Sequence, residues 1–324
     1  MDKLKVIELF AGFGTQSLAL KYEKIPHEII GISEIDKHAI QAYEALHGPV
    51  HNYGDITKIE KLDYADFWTY SSPCTNFSIA GKEAGGDKES GTASSLIWEV
   101  ERLLRKAKEE ETLPKYLMLE NVKNMLGPKH KHNFDAWIEF LETMGYNNYY
   151  SVFSATEVGV PQKRERIFVI SIRQDIDDFN FSMEKVKEKK YKLKPLKEYL
   201  EKNPQEDIYL TEKDLPKLKE FGASYGFGGK IVKGNVYTTI VANYDKTSGN
   251  SGKIIRDEKD LMADGKTPRL SILTPRESMY LMGVSKEDTE KLYKTFENKK
   301  RLYKLAGNAI VIDVMRAMFR ELWK

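Results

Sequence analysis

The chain has 324 residues, 41% hydrophobic and 31% charged, and its 51 Lys and Arg against 49 Asp and Glu give a net charge of +2. That length supports one large domain or two modest ones with real cores, and the composition excludes a disordered or fibrous chain. Near-neutral charge leaves any nucleic-acid face to local clustering, and the single cysteine, Cys74, excludes an intramolecular disulfide and a multi-cysteine zinc site.

The opening MDKLKVIELF is too short and charged for a signal peptide, and no apolar run approaches membrane-spanning length, so a cytoplasmic protein is expected. KLKVIEL predicts an apolar strand running into the glycine-rich turn FAGFG, and TQSLALKYEK has helical spacing. HEIIGISEID reads as a second strand ending in acids, and HAIQAYEALHG as a helix closed by Gly48. ADFWTYSSP and KYLMLENV predict two further strands around a strongly patterned helix, SLIWEVERLLRKAKEEE. A third helix, NFDAWIEFLETMGY, precedes the strands YYSVFSA and RERIFVISI. Strands alternating with helices predict an α/β fold, an open and mostly parallel sheet with ligand loops beyond the strands' carboxyl ends.

After about Asp175 the alternation fails: a lysine-rich stretch and a glycine-rich stretch predict a second, smaller domain. The final GNAIVIDVMRAMFRELW reads as a helix that begins at Asn308 as its cap, with Ile310, Val314, Met318 and Leu322 at helical spacing.

Three loops of the sheet suit parts of a nucleoside. Gly12 and Gly14 allow close backbone approach at a helix N-terminus, Glu34 is placed to accept from a ribose diol, and Asp55 from an adenine amino group. Together they point to an adenosine-containing cofactor, although glycine at a tight turn also serves geometry alone. Cys74 sits after Pro73 among small polar residues, open to act as a thiolate nucleophile or to remain an inert thiol. Glu120 ends an apolar strand at the same edge, as a proton donor or as a solvent-exposed acid. Arg164 and Arg166 alternate along an extended segment, which predicts guanidinium groups pointing the same way.

The ordered blocks ELFAGFG, SEID, GDIT, SPCTNFSIAG, LENV, VPQKRERIF, LTPRESMYLMG and LAGNAIVIDV resemble those of the DNA cytosine-5 methyltransferase family. The resemblance spans nearly the whole chain outside the lysine- and glycine-rich interval. It implies a Rossmann-like sheet that binds S-adenosylmethionine, formed by residues 1–178 and 300–324. It also implies a target-recognition domain over 179–268 and a hinge with the LTPRE block over 269–299. The implied reaction adds the Cys74 thiolate to cytosine C6 while Glu120 protonates or hydrogen-bonds N3. C5 then takes the methyl group of S-adenosylmethionine, leaving S-adenosylhomocysteine, and loss of the C5 proton expels Cys74. Arg166 would hold the cytosine O2 with Arg164 in support, on a base flipped out of duplex DNA.

The same resemblance implies Phe10, Gly12 and Gly14 near the methyl donor, Glu34 on the ribose, Asp55 on the adenine and Asn308 closing the site. Phe13, Ile35 and Ile56 are expected alongside them, with no metal. It implies Ser90 filling the space of the flipped base, Thr239 on a phosphate, and Asn121 and Gln162 at the DNA. Three positions depart from the family: Thr75 stands where glutamine is usual, Ser72 where glycine is, and Thr15 where a second glycine closes the first block. A monomer acting on double-stranded DNA is expected, with or without a cognate restriction endonuclease. A transfer-RNA cytosine methyltransferase and a non-catalytic nucleic-acid binder are the alternatives.

Overall fold

Apolar runs become strands where they alternate with amphipathic helices, and the strands gather into one sheet. The computed structural model describes residues 3–73, 93–214, 231–232, 234–242, 252–266 and 268–324, so Cys74, Thr75 and Ser90 lie outside the described residues. In chain order the first elements are β1 (Leu4–Leu9), α1 (Thr15–Tyr22), β2 (His27–Ser33), α2 (Lys37–His47), β3 (Phe67–Tyr70) and α3 (Ile97–Glu109). There follow β4 (Tyr116–Val122), α4 (Lys131–Thr143), β5 (Tyr146–Ser154), β6 (Glu165–Arg173) and α5 (Met183–Glu188). The remainder holds β7 (Ile254–Ile255), β8 (Leu270–Ser271), α6 (Pro275–Tyr280), α7 (Lys286–Thr295), α8 (Arg301–Asn308) and α9 (Ile312–Leu322). The chain divides into two compact units, one of Met1–Phe153, Glu165–Lys190 and Val314–Lys324, the other of Ser154–Arg164 and Tyr191–Asp313.

In the first unit the described strands form a sheet in the order β2-β1-β3-β4-β6-β5. Strand β1 is parallel to β2 and β3, β3 is parallel to β4, and β6 runs antiparallel to β4. This is the mostly parallel, Rossmann-like α/β sheet that the alternation predicts. Side chains alternate across it. Ile7, Leu9, Trp68, Tyr70, Leu117 and Leu119 turn to one face, where they join Leu103 and Leu104 of α3 and Trp137 and Leu141 of α4 in the main core. Phe67 turns to the other face and meets Phe319 and Trp323 edge-on, with ring centroids 5.7 and 5.2 Å away.

The end of the chain is tied to its beginning by charge as well. Glu23, which caps α1, accepts from Arg316 Nε at 2.7 Å and Arg320 Nη2 at 2.6 Å. The Arg320 guanidinium holds its carboxyl below the ordinary carboxylate range. Helix α2 is bounded as its sequence predicts, with Asp36 accepting from the His38 N–H at its start and Gly48 at φ 84° closing its end.

The second unit carries less regular structure, and buried polar groups hold its backbone. The block LTPRE forms a capping box: Thr274 accepts from the Glu277 N–H, Glu277 reaches back to the Thr274 N–H, and Pro275 takes the first turn of α6. Glu277 is fully buried and also accepts from both terminal nitrogens of Arg256 at 2.7 Å and from the Glu201 N–H at 2.6 Å. Arg256 completes its set on Ser271 Oγ and the Ile272 carbonyl. Both charges are therefore paired and hydrogen-bonded, the condition under which burying them is tolerable.

The last helix departs from expectation. It begins at Ile312, and Asn308 instead ends α8, whose Leu302, Leu305 and Ala306 are buried. The chain cannot stay helical across the junction because Arg164 captures the carbonyls of Gly307 and Ala309, and Ala309 is extended at φ −78°, ψ 158°. Gly307 also presses on another backbone segment: a Cβ there would lie 2.2 Å from Ala242 N and 2.3 Å from Val241 C. Among the described residues no helix is long and apolar enough to cross a membrane.

Because the atoms facing Gly307 are backbone, a methyl group has nowhere to go. Gly307→Ala is expected to lower unfolding free energy by about 1–3 kcal/mol, despite alanine's better helix propensity. Urea denaturation checks this; an unchanged or raised midpoint overturns the close approach as a constraint.

Candidate active site

Parallel register brings the loops together. Leu9 pairs with Ser33 on one side and Tyr70 on the other, and Tyr70 pairs with Leu119. One residue beyond this row stand Phe10, Glu34 and Ser71, just past the ends of β1, β2 and β3, and Glu120, still paired within β4 two residues before its end. Binding loops gather at such an edge because that is where the backbone leaves the ladder.

At β1 the turn is built from left-handed backbone. Phe10, Gly12 and Gly14 have φ of 56°, 57° and 77°. For Phe10 this costs about 1–2 kcal/mol, strain of the kind that concentrates at functional loops. A Cβ on Gly12 would meet nothing within 4 Å, whereas one on Gly14 would strike His47 Nε2 at 2.5 Å and the Tyr43 ring at 2.6 Å. Gly14 therefore serves packing, and Gly12 leaves an open approach. Phe13 is buried, and Ile56 has its side chain in the main core.

Backbone N–H groups fix the Glu34 carboxylate. Gly12 donates to Oε2 at 2.9 Å, and Ile35 and Asp36 donate to Oε1, each at 2.8 Å. Three of roughly four acceptor directions are thereby filled, which leaves one for a hydroxyl donor. Beside it Ile35 is 74% exposed, an apolar side chain with no core role. Asp55 caps the turn Ile56–Lys58, its Oδ1 accepting from Thr57 N–H and Oγ1, and these bonds hold its pKa below the ordinary value. Its Oδ2 makes no hydrogen bond among the described residues.

Under the loop lies Glu8, fully buried and not signalled by the sequence as functional. Its oxygens accept from the Ser17 N–H at 2.9 Å and the Tyr43 hydroxyl at 2.6 Å. Burial pushes its pKa from 4.5 up to about 7 against the opposing pull of those two donors.

At β4, Glu120 Oε1 lies 3.2 Å from Arg166 Nε, and both side chains are largely buried. Register explains the pairing: the strand continues past Glu120, contrary to expectation, and pairs Glu120, Asn121 and its last residue Val122 with Phe168, Ile167 and Arg166. Asn121 is itself buried and donates through Nδ2 to the Ser72 carbonyl at 3.2 Å and to Ser72 Oγ at 3.3 Å. Its Oδ1 accepts from the Val122 N–H, which fixes the amide's orientation. Asn121 thus orients the segment leading to Cys74.

One expectation changes. The guanidinium groups of Arg164 and Arg166 do not act together: Arg166 meets Glu120, whereas Arg164 donates to the carbonyls of Ile240, Gly307 and Ala309 at 2.8–3.0 Å. Arg164 precedes the strand in a turn closed on Gln162 O, so strand alternation does not govern it. Gln162 is wholly buried, donates to the Leu281 carbonyl at 2.9 Å and accepts from the Ile240 N–H at 3.3 Å. Its amide holds backbone on both sides. Thr239 Oγ1 donates to the Lys163 carbonyl in the same unit, which also contains Asn308. Among the described residues no group of three or more His, Cys, Asp or Glu is placed to hold a metal ion.

Comparison with known proteins agrees with this geometry. The pattern of the family C-5 cytosine-specific DNA methylase matches residues 4–324. Type II methyltransferase M2.ScrFI of Lactococcus lactis subsp. cremoris is 34% identical over 99% of this chain and 99% of its own length. Type II methyltransferase M.HhaI of Haemophilus parahaemolyticus is 29% identical over 97% of this chain and 92% of its own. Among solved structures, the S. pombe Dnmt2 methyltransferase has the same fold, with a TM-score of 0.75 at 20% identity over 98% of this chain and 97% of that one.

Glu8 makes stability depend on pH with a definite sign. A carboxyl whose folded pKa is raised from 4.5 to about 7 keeps a proton that the unfolded chain has released. The contribution of Glu8 to stability is therefore greatest below about pH 4.5, falls through the window to about pH 7 by up to about 3 kcal/mol, and then levels off. Glu8→Gln removes this component, so its stability relative to wild type is expected to rise between pH 5 and 8 in chemical denaturation; a constant difference overturns the assignment.

Proposed function

Because the chain belongs to the C-5 cytosine-specific DNA methylase family, its activity is cytosine C5 methylation of DNA, and we propose that it acts by thiolate addition with S-adenosylmethionine as donor. The observation that carries this reading is the Glu120–Arg166 pair at 3.2 Å on the same sheet edge as the Asn121-held Ser72, two residues before Cys74.

The Cys74 thiolate forms a bond to C6 of the cytosine, and Glu120 delivers or holds a proton at N3, so that the ring's electrons collect at C5 as in an enamine. Arg166 keeps Glu120 in place and offers its remaining donors to the base O2, where negative charge grows. After methylation the C5 proton leaves as a cation, and the electrons of its bond expel the Cys74 thiolate and restore the ring. Arg164 supports this chemistry indirectly, through the three carbonyls it holds. A base inside a duplex cannot present both faces and its N3 edge to such groups, so it must be flipped out, with Ser90 filling the space it leaves.

The cofactor residues fit their ligand. Glu34 keeps an acceptor direction for a ribose hydroxyl, exposed Ile35 suits an adenine face, Asp55 Oδ2 suits the adenine amino group, and open space at Gly12 lets the donor approach backbone. Phe10 and Gly14 shape that turn, Phe13 and Ile56 brace it from the core, and Asn308 closes the site. When bound, S-adenosylmethionine supplies an electrophilic methyl group on a sulfonium sulfur. Residues 1–178 and 300–324 form the catalytic and cofactor-binding part, 179–268 read the DNA, with Thr239 on a phosphate, and 269–299 form the hinge. The protein works in the cytoplasm as a monomer on double-stranded DNA, and its type II relatives support a cognate restriction endonuclease.

Duplex DNA carrying 5-fluorocytosine tests the mechanism, since fluorine cannot leave as a cation. With S-adenosylmethionine present, wild type is expected to form an adduct that survives denaturation, and Cys74→Ser none. An adduct on matched RNA but not on DNA would move the substrate to RNA; no adduct on either would remove the covalent mechanism.

A further inference from the structure

Asn52 belongs to no motif, yet its side chain touches both parts of the adenosine site. It lies on the segment that runs beside β2, where Ile32 N donates to the His51 carbonyl and Tyr53 N to the Ile32 carbonyl, making a single parallel bridge between Ile32 and Asn52. From there its amide embraces the backbone of Glu34. Asn52 Oδ1 accepts from the Glu34 N–H at 3.2 Å, and Asn52 Nδ2 donates to the Glu34 carbonyl at 3.0 Å. The same Oδ1 accepts from the Gly54 N–H at 2.9 Å, directly before Asp55. A fourth bond closes the ring: Ser33 Oγ donates to the Gly54 carbonyl at 2.7 Å.

We infer that Asn52 is the positioning residue that sets the spacing of the Glu34 and Asp55 carboxylates, and so determines how tightly the adenosine part of the cofactor is held. The inference rests on the cofactor reading proposed above. No other side chain of this length makes the same set of bonds. Two N–H groups need an acceptor, and one carbonyl needs a donor in the same plane, which only a carboxamide provides. Aspartate keeps the two acceptor contacts but turns an oxygen on the Glu34 carbonyl and adds charge between two acids. Alanine leaves all three backbone groups without that partner. The remaining supports of Glu34 act on its carboxylate, from Gly12, Ile35 and Asp36, and those of Asp55 come from Thr57. Neither set links one acid to the other. Asn52 does.

The test is calorimetric titration of S-adenosylhomocysteine and of 5′-methylthioadenosine into wild type, Asn52→Ala and Asn52→Asp, with folding checked by circular dichroism and melting. With the Glu34 and Gly54 backbone groups deprived of that partner, Asn52→Ala is expected to raise Kd by roughly 10-fold. The loss should be the same for both ligands, because they share only the adenosine part. Asn52→Asp should fall between. The Asn52→Ala and Glu34→Gln effects should also combine to less than the product of the two alone, since both act through one carboxylate.

A Kd within twofold of wild type in a folded Asn52→Ala, or a loss seen with S-adenosylhomocysteine alone, overturns the inference while leaving the cofactor reading intact. If wild type binds neither ligand, the cofactor reading itself fails. Should Asn52→Ala not fold, the folded Asn52→Asp decides: unaltered affinity counts against Asn52, and a parallel loss on both ligands supports it.

Discussion

Everything at the site depends on parallel register. Four strands, β2, β1, β3 and β4, run the same way; β2, β1 and β3 end in one row that β4 crosses at Leu119, so the next residues, Glu34, Phe10, Ser71 and Glu120, arrive at the same edge. A one-residue slip would exchange the two faces of a strand and carry Glu120 or Glu8 to the wrong side. The two-faced core prevents that slip: Trp68 and Tyr70 must reach α3 and α4 while Phe67 reaches Phe319 and Trp323. Hydrophobic alternation thus fixes the position of polar chemistry at the strand ends.

Where regular structure is scarce, buried polar side chains replace the ladder. Arg164 binds three carbonyls, Gln162 binds a carbonyl and an N–H, and Glu277 gathers Arg256 with two N–H groups. Backbone groups away from water need partners, and segments without helix or strand can obtain them only from side chains or water. Arg164, Gln162 and Glu277 therefore serve as braces for the second unit's backbone.

Bracing of this kind explains where the structure departs from what local sequence indicates. Arg164 and Arg166 lie two apart, and alternation predicts a common direction, but the strand starts between them at Glu165. Gln162 and Asn121 are polar residues in functional blocks, and their amides turn inward to hold backbone from segments 49 to 119 residues away. Asn308 has the character of a helix cap, yet the apolar stripe through Leu302 and Leu305 extends α8 up to it. The LTPRE block is legible in the sequence only as a family-like motif; the structure shows its Thr274 and Glu277 as a capping box, and the Arg256 partner shows why a buried glutamate is tolerated there.

The sequence by itself determined the alternation of strands and helices, the glycine turn, the acids near the carboxyl ends of β2 and β4, and the family to which the chain belongs. These are local signals, since periodicity and turn chemistry act over a few residues. Tertiary structure alone decided that Glu8 would lie buried with a carboxyl titrating near 7, that Arg166 would meet Glu120, and that Asn52 would join Glu34 to Gly54. Each of these depends on which distant segments share a space, and on how little water remains between them. A polar side chain carries no local mark of the backbone it will bind, so its role appears only when the chain has closed around it.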